Sequence, residues 1–250
     1  MAKSSLDESG RVVRRSVELT PGAYMQVVGL VQAFAVGFLL TQQPWIDALV
    51  GLPTEDAVIP RTPHEWALTL LQFVATFHLI VLAWHVNAQN MMAFERRWGL
   101  LDAFIPMLFI FPEYLMIKTC DFEHFPAWCL GVAGFSGLSL LAYWHLHVHV
   151  SREFRDHNDD VLEKVRPFLK YIVPYIFFTG LVSAGIFICN EYPGWLPIKN
   201  VVSGAIARSE NFNVFAAGVV YLLIIIFTFW HVLGFWHRAL EAPKKMKRDA

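Results

Sequence analysis

The stretch AWCLGVAGFSGLSLLAYWHLHVHV, Ala127–Val150, decides the fold. Its last eight residues place His145, His147 and His149 at every second position. Alternation of that kind is the pattern of a strand. The sixteen residues before those eight are almost wholly apolar, too long a run for a strand. Joined to Tyr143–Val150, they reach the roughly 20 residues that a membrane-spanning helix needs. On such a helix His145 and His149 are four apart and share a face, while His147 lies roughly opposite. The stretch therefore reads as a helix leaving the bilayer with two of its three histidines aligned.

Five further apolar runs surround it, roughly Gly22–Gln43, Trp66–Val86, Leu101–Ile117, Phe168–Cys189 and Phe212–Trp236. Of the 250 residues, 56% are hydrophobic and 16% charged, against about 45–50% and about 25% in a soluble domain. Backbone groups in lipid must be bonded internally, so runs of this length are helices. The shorter, alternating segments of a transmembrane barrel are missing. The expected fold is an all-α integral membrane protein. A six-helix transmembrane bundle over 22–237 lies between polar tails at 1–21 and 238–250.

Lysine and arginine set the orientation, because cytoplasmic loops carry their excess. With the N-terminus inside, sixteen of the 20 basic residues fall on the inner side. They lie in the N-terminal tail, at Arg96 and Arg97, between Arg152 and Lys170, and from Arg238 onward. Only Arg61, Lys118, Lys199 and Arg208 fall outside. Both termini are therefore expected in the cytoplasm. The first run lacks a small-residue cleavage site and reads as an uncleaved anchor. The basic tails suit an anionic leaflet, and the expected partner is the lipid bilayer, not nucleic acid. The charged segment SREFRDHNDDVLEKVRP, Ser151–Pro167, is expected to extend the fourth helix into the cytoplasm. Cys120, Cys129 and Cys189 all fall near the outer face, where one disulfide or buried thiols are both open.

A Trp-His doublet occurs in three of the runs: Trp84-His85, Trp144-His145 and Trp230-His231, with Trp236-His237 beyond. The second, fourth and sixth helices all run from outside to inside, so each doublet lies near the cytoplasmic interface. Two readings stay open. Tryptophan anchors a helix at the interface, and a neutral histidine sits there at little cost. Alternatively, His85, His145 or His149, and His231 lie at one depth on different helices. Two facing imidazoles there would hold a b-type haem, and three or four ligands a transition metal. His78 lies deeper, where an ionisable group is a candidate for function.

Glu113 is the one carboxylate clearly inside a run, directly after Pro112. Pro106 and Pro112 each free a carbonyl and kink their helix. A kinked helix with a single acid suits an ion pathway. The structural alternative is a protonated acid, or one paired with Lys118 or an outer-loop arginine. The first helix carries Gln26, Gln32, Thr41 and Gln42 among small residues. Such groups line a water path or bond helices together.

The segment LIVLAWHVNAQNMMAFERRWGLLDAFIPMLFIFPEYLM, Leu79–Met116, lies downstream of a first helix reading QAFAVGFLLT, Gln32–Thr41. In layout it resembles the endolysosomal and bacterial potassium channels whose first helix carries a Phe-Ser-Asp motif. The likeness covers roughly residues 30–118. It consists of a second helix ending in Trp and His, a basic loop, and a Leu- and Phe-rich third helix with Pro near its end. Ala35 and Val36 stand where that family has Ser and Asp, so the motif itself is absent. The resemblance implies a shared helix-hairpin arrangement and puts Phe34 and Thr41 at pore positions.

No GxSxG, HExxH, CxxC or phosphate-binding loop is present. The single HxxxH lacks the further histidine boxes of a membrane di-iron enzyme, so an enzyme is not expected. The leading expectation is an ion channel or transport protein, assembled as a homo-oligomer or within a membrane complex. Gln32, Phe34 and Thr41 would line its path, with His78 and Glu113 tuning charge. The alternatives are a haem- or metal-binding redox subunit and a structural subunit of a larger complex.

Overall fold

A computed structural model describes residues 26, 28–41, 62–93, 100–146, 155–192 and 210–231. The regular elements among them are all helices: α1 (Val28–Thr41), α2 (Pro63–Ala93), α3 (Leu100–Leu108), α4 (Ile110–Lys118), α5 (Phe125–His145), α6 (Arg155–Glu191) and α7 (Glu210–Phe229). Four hold segments long and apolar enough to cross a membrane: Pro63–Ala88, Phe125–His145, Leu169–Glu191 and Phe212–Phe229. The two tails, His147, His149 and His237 lie outside the described residues. The first of the alternating histidines is not on a strand, because α5 runs through Trp144 and His145.

Local chemistry explains where the helices start. Thr62-Pro63-His64-Glu65 is a capping box. The Thr62 N–H donates to Glu65 Oε2 at 3.0 Å, and the Glu65 N–H to Thr62 Oγ1 at 3.2 Å. Pro63 occupies the first helical position, where its missing N–H costs nothing. Hence α2 begins three residues before the apolar run. At α5, Asp121 Oδ1 accepts from the His124 N–H at 2.8 Å and fixes the turn before Pro126.

One run, the third, differs from the plain span expected of it. It is two nine-residue helices, α3 and α4, meeting at Phe109. Neither Pro106 nor Pro112 can donate to the helical ladder, and the break falls between them. The described part of the first run, residues 28–41, is the helix α1, about 21 Å long at 1.5 Å per residue. The charged residues from Arg155 to Pro167 join the fifth run as one helix, α6; residues 147–154, between them and α5, lie outside the described residues. No disulfide joins Cys120, Cys129 and Cys189.

The bundle is built around α2, half of whose spanning window is buried, against 22% for α7. Apolar area gives helices no preference for each other over lipid tails, so close packing and polar links hold them together. Small residues supply the close packing. Ala75 and Ala83 of α2 share a core with Ala216 and Ala217 of α7. A Cβ on Gly131 of α5 would lie 2.6 Å from Met116 Cγ and 3.2 Å from the Met116 backbone nitrogen of α4. A Cβ on Gly180 of α6 would lie 3.0 Å from the Ser136 Cβ of α5. Leu39, Ile80 and Ile117 join α1, α2 and α4 in a smaller cluster.

Paired contacts fix direction. Trp128 meets Thr76 at one level, and Tyr143 and Asn87 line one cavity further along. His78 meets Thr228 near the first level, and Tyr143 meets His231 near the second. Helices α2, α5 and α7 therefore run the same way, and their Trp-His doublets fall at the same end.

Candidate functional site

Glu113 lies in the first turn of α4, one residue after Pro112. Phe109, Pro112, Glu113, Met116 and Ile117 form the buried side of this region. That spacing is the inward face of a helix, so Glu113 is carried inward with the apolar residues and is 1% exposed. Gln32 of α1 is 7% exposed and donates from Nε2 to Glu113 Oε1 at 3.1 Å. The second carboxyl oxygen, Oε2, and the Gln32 Oε1 are both buried, with no hydrogen-bond partner among the described residues. The start of the α4 half-helix favours an anion by about 0.3–1 kcal/mol. Taking a carboxylate out of water costs several kcal/mol. The larger effect falls on the Gln32 pair to offset.

The surroundings hold α1 against α4. Phe38 stacks on Tyr114 at 5.8 Å between ring centroids. The Lys118 ammonium lies over the Phe38 ring at 5.2 Å. Next to this pair, α2 presents a buried polar stripe of Thr69, Gln72 and Thr76. Their i, i+3, i+7 spacing puts them on one face. Gln72 Nε2 donates to the Thr119 carbonyl at 3.1 Å, and Thr76 Oγ1 accepts from Trp128 Nε1 at 2.9 Å. Thr69 Oγ1 and Gln72 Oε1 have no hydrogen-bond partner among the described residues.

The histidines form a second polar region. His78 Nε2 lies 2.9 Å from Thr228 Oγ1, and Thr228 passes its own hydrogen to the Ile224 carbonyl at 2.9 Å. At the doublet end Trp84, Trp144 and Trp230 are all exposed, while His145 and His231 are buried and His85 is half-buried. Tryptophan faces out and histidine faces in on all three helices. His231 Nδ1 lies 2.9 Å from the Tyr143 hydroxyl, and its ring stacks on Phe227. A cavity of about 40 Å³ opens beside them, lined by Asn87, Phe109, Ser139, Tyr143 and Phe227 among others. That volume accepts a water molecule or two.

Of the residues singled out in the sequence, Gln32 and Glu113 are brought together. His85, His145 and His231 come to one end of the bundle. Phe34, 70% exposed, and Thr41, bonded back to the Phe38 carbonyl at 3.0 Å, lie on the outward side of α1. Nine positions separate Gln32 from Thr41, half a revolution on a helix, so they occupy opposite faces. His149 lies outside the described residues. Among those described, no group of three or more His, Cys, Asp or Glu side chains is arranged to hold a metal ion. Sequence reasoning passed over Tyr143, Thr228 and the α2 stripe. The stripe had a signal, since Thr69, Gln72 and Thr76 keep helical spacing inside an otherwise apolar run.

Comparison with protein-family models finds no match, and no curated protein and no solved structure matches the chain.

Proposed function

We propose that the chain is a six-span membrane protein with both termini in the cytoplasm, and that it conducts or transports an ion. The observation that carries this reading is the buried Gln32–Glu113 pair between α1 and α4. An ionisable side chain inside a membrane helix is costly and is retained where it serves a pathway or a proton relay. Its setting adds support. Glu113 sits at the start of a half-helix, and discontinuous helices are where transporters place their ion sites. In this reading the chain is a homo-oligomer. Phe34 and Thr41, on the outward side of α1, face the path between copies. The sixteen-to-four distribution of basic residues supports the topology.

The test is ion flux into liposomes holding the purified protein, with potassium, sodium and proton gradients imposed in turn. Wild-type flux well above that of empty liposomes, reduced in Glu113→Gln, is the expected result. Flux equal to that of empty liposomes in every gradient overturns the reading.

A second reading, a haem- or metal-binding redox subunit, draws on the inward convergence of His85, His145 and His231. The cavity of about 40 Å³ beside Tyr143 is lined by none of these histidines and lies far below the roughly 300 Å³ at which small-ligand pockets begin, so it is not itself a porphyrin site. An absorption spectrum of the purified protein, oxidised and then reduced, checks this. A Soret band would restore the haem reading.

A further inference from the structure

The Gln32–Glu113 pair has one hydrogen bond and two atoms left over. The bond runs from Gln32 Nε2 to Glu113 Oε1 at 3.1 Å. The atoms left over among the described residues, Gln32 Oε1 and Glu113 Oε2, belong to the same two side chains, and both are buried. Each is an acceptor when the carboxyl is ionised. Two acceptors shut away from water without a donor are a cost that buried side chains rarely carry. A single proton on Glu113 Oε2 removes it, because the acid then donates to the Gln32 carbonyl while the Gln32 amide donates to Oε1. Turning the amide over exchanges its atoms and leaves the count the same.

We propose that Glu113 is held here as a neutral carboxylic acid in a two-point pair with the Gln32 amide, and that this pair is a buried proton-binding site joining α1 to α4. The proposal deepens the transport reading and rests on it for the proton's role. The bound cation is H⁺. On release the O–H bond breaks, the electron pair stays on Oε2, and the proton passes to water. Oε2 and the Gln32 carbonyl then face each other as acceptors, one hydrogen bond remains, and α1 is held less firmly.

Among the described side chains, no neighbouring charge takes over the acid's role. Helix α1 brings no titratable side chain. Helix α2 brings none between Glu65 and His78, and His78 is turned to Thr228. Helix α5 brings buried Cys129. On α4 itself, Tyr114 stacks on Phe38 and the Lys118 ammonium lies over the same ring.

The experiment is infrared difference spectroscopy of the full chain in phosphatidylcholine vesicles, at neutral pH, in H₂O and D₂O. The wild type should show a protonated-carboxyl carbonyl band that shifts down on deuteration. The band should vanish in Glu113→Gln, whose amide can make the same two-point pair and so preserves the fold. It should move to higher frequency in Gln32→Leu, where the acid loses its acceptor. If Glu113→Gln does not fold, Gln32→Leu, which keeps the acid, carries the test. Carboxylate bands assigned to Glu113, or an acid band that Gln32→Leu leaves in place, overturn the proposal. Flux measured in the same vesicles separates the two readings. An acid band without flux keeps the proton site and removes transport. Flux with an ionised Glu113 does the reverse.

Discussion

Of the polar pairs that cross between helices in this bundle, two are built differently from each other. His78 and Thr228 join α2 to α7 in a chain in which each hydrogen has a destination. With the hydroxyl hydrogen on the Ile224 carbonyl, the Nε2–H tautomer of His78 donates to the hydroxyl. Gln32 and Glu113 join α1 to α4 with one bond and two buried acceptors to spare. The first pair is complete as it stands and is suited to holding two helices together. The second is incomplete without a proton or another donor, which is what a site that gains and loses one requires.

Substitutions can break or sharpen that contrast. The largest effect is expected from Glu113→Leu. It leaves the Gln32 amide buried without its partner, a cost of about 1–3 kcal/mol. Ion flux should be lost altogether, and thermal unfolding in detergent should register the lower stability. If flux persists at the wild-type rate, the pair is structural and the contrast disappears.

Gly131→Ala comes next. The added methyl meets Met116 Cγ and the Met116 backbone, and a displaced helix is the only relief on the backbone side. Overpacking of this kind costs about 1–3 kcal/mol. It should push α4, with Glu113, away from its seat while leaving His78–Thr228 in place. A flux defect with an intact histidine pair, followed by the imidazole resonances in NMR, would separate the two regions cleanly.

Thr228→Val removes the partner of His78 and keeps the shape. Membrane hydrogen bonds between side chains average about 0.6 kcal/mol and reach about 1.7 kcal/mol. A loss in that range with undiminished flux is expected. Reduced flux would move the histidine pair into the working part of the molecule.

The smallest change in stability is expected for Thr41→Val, whose hydroxyl is exposed and, among the described residues, bonds within its own helix. Unfolding should shift by no more than about 0.5 kcal/mol. Flux should nevertheless change if the outward side of α1 faces the path between copies, so this variant tests that placement with little structural disturbance.

Hydropathy made the four long spans legible because their helices are longer than anything but a membrane requires. It misjudged their ends, which depend on short polar signals. The capping box at Thr62–Glu65 was written in the sequence just ahead of the apolar run that begins at Trp66. The charged residues after Arg155 have good helix formers but no apolar pattern to say which neighbour they join. The candidate site was legible by parts. Gln32 and Glu113 each stood out as polar groups in apolar helices. Their pairing spans 81 positions and depends on how α1 and α4 rotate about their own axes, which no local pattern encodes. The Trp-His doublets were fully visible, and helical geometry alone puts adjacent residues about 100° apart. Which of the two turned inward was settled by packing, with Phe227 and Tyr143 receiving His231.

The three outward tryptophans have a mechanical consequence. Placed in a bilayer, each acts as a float that resists leaving the headgroup level. Their helices are also cross-linked to one another through Thr76, Thr228 and Tyr143. Sliding one of these helices like a piston would pull a float under and shear its cross-links at once. Helix α1 and the half-helix α4 carry none of these floats. Any working stroke of this protein is therefore expected to be a tilt of that pair against a three-legged raft that keeps its depth.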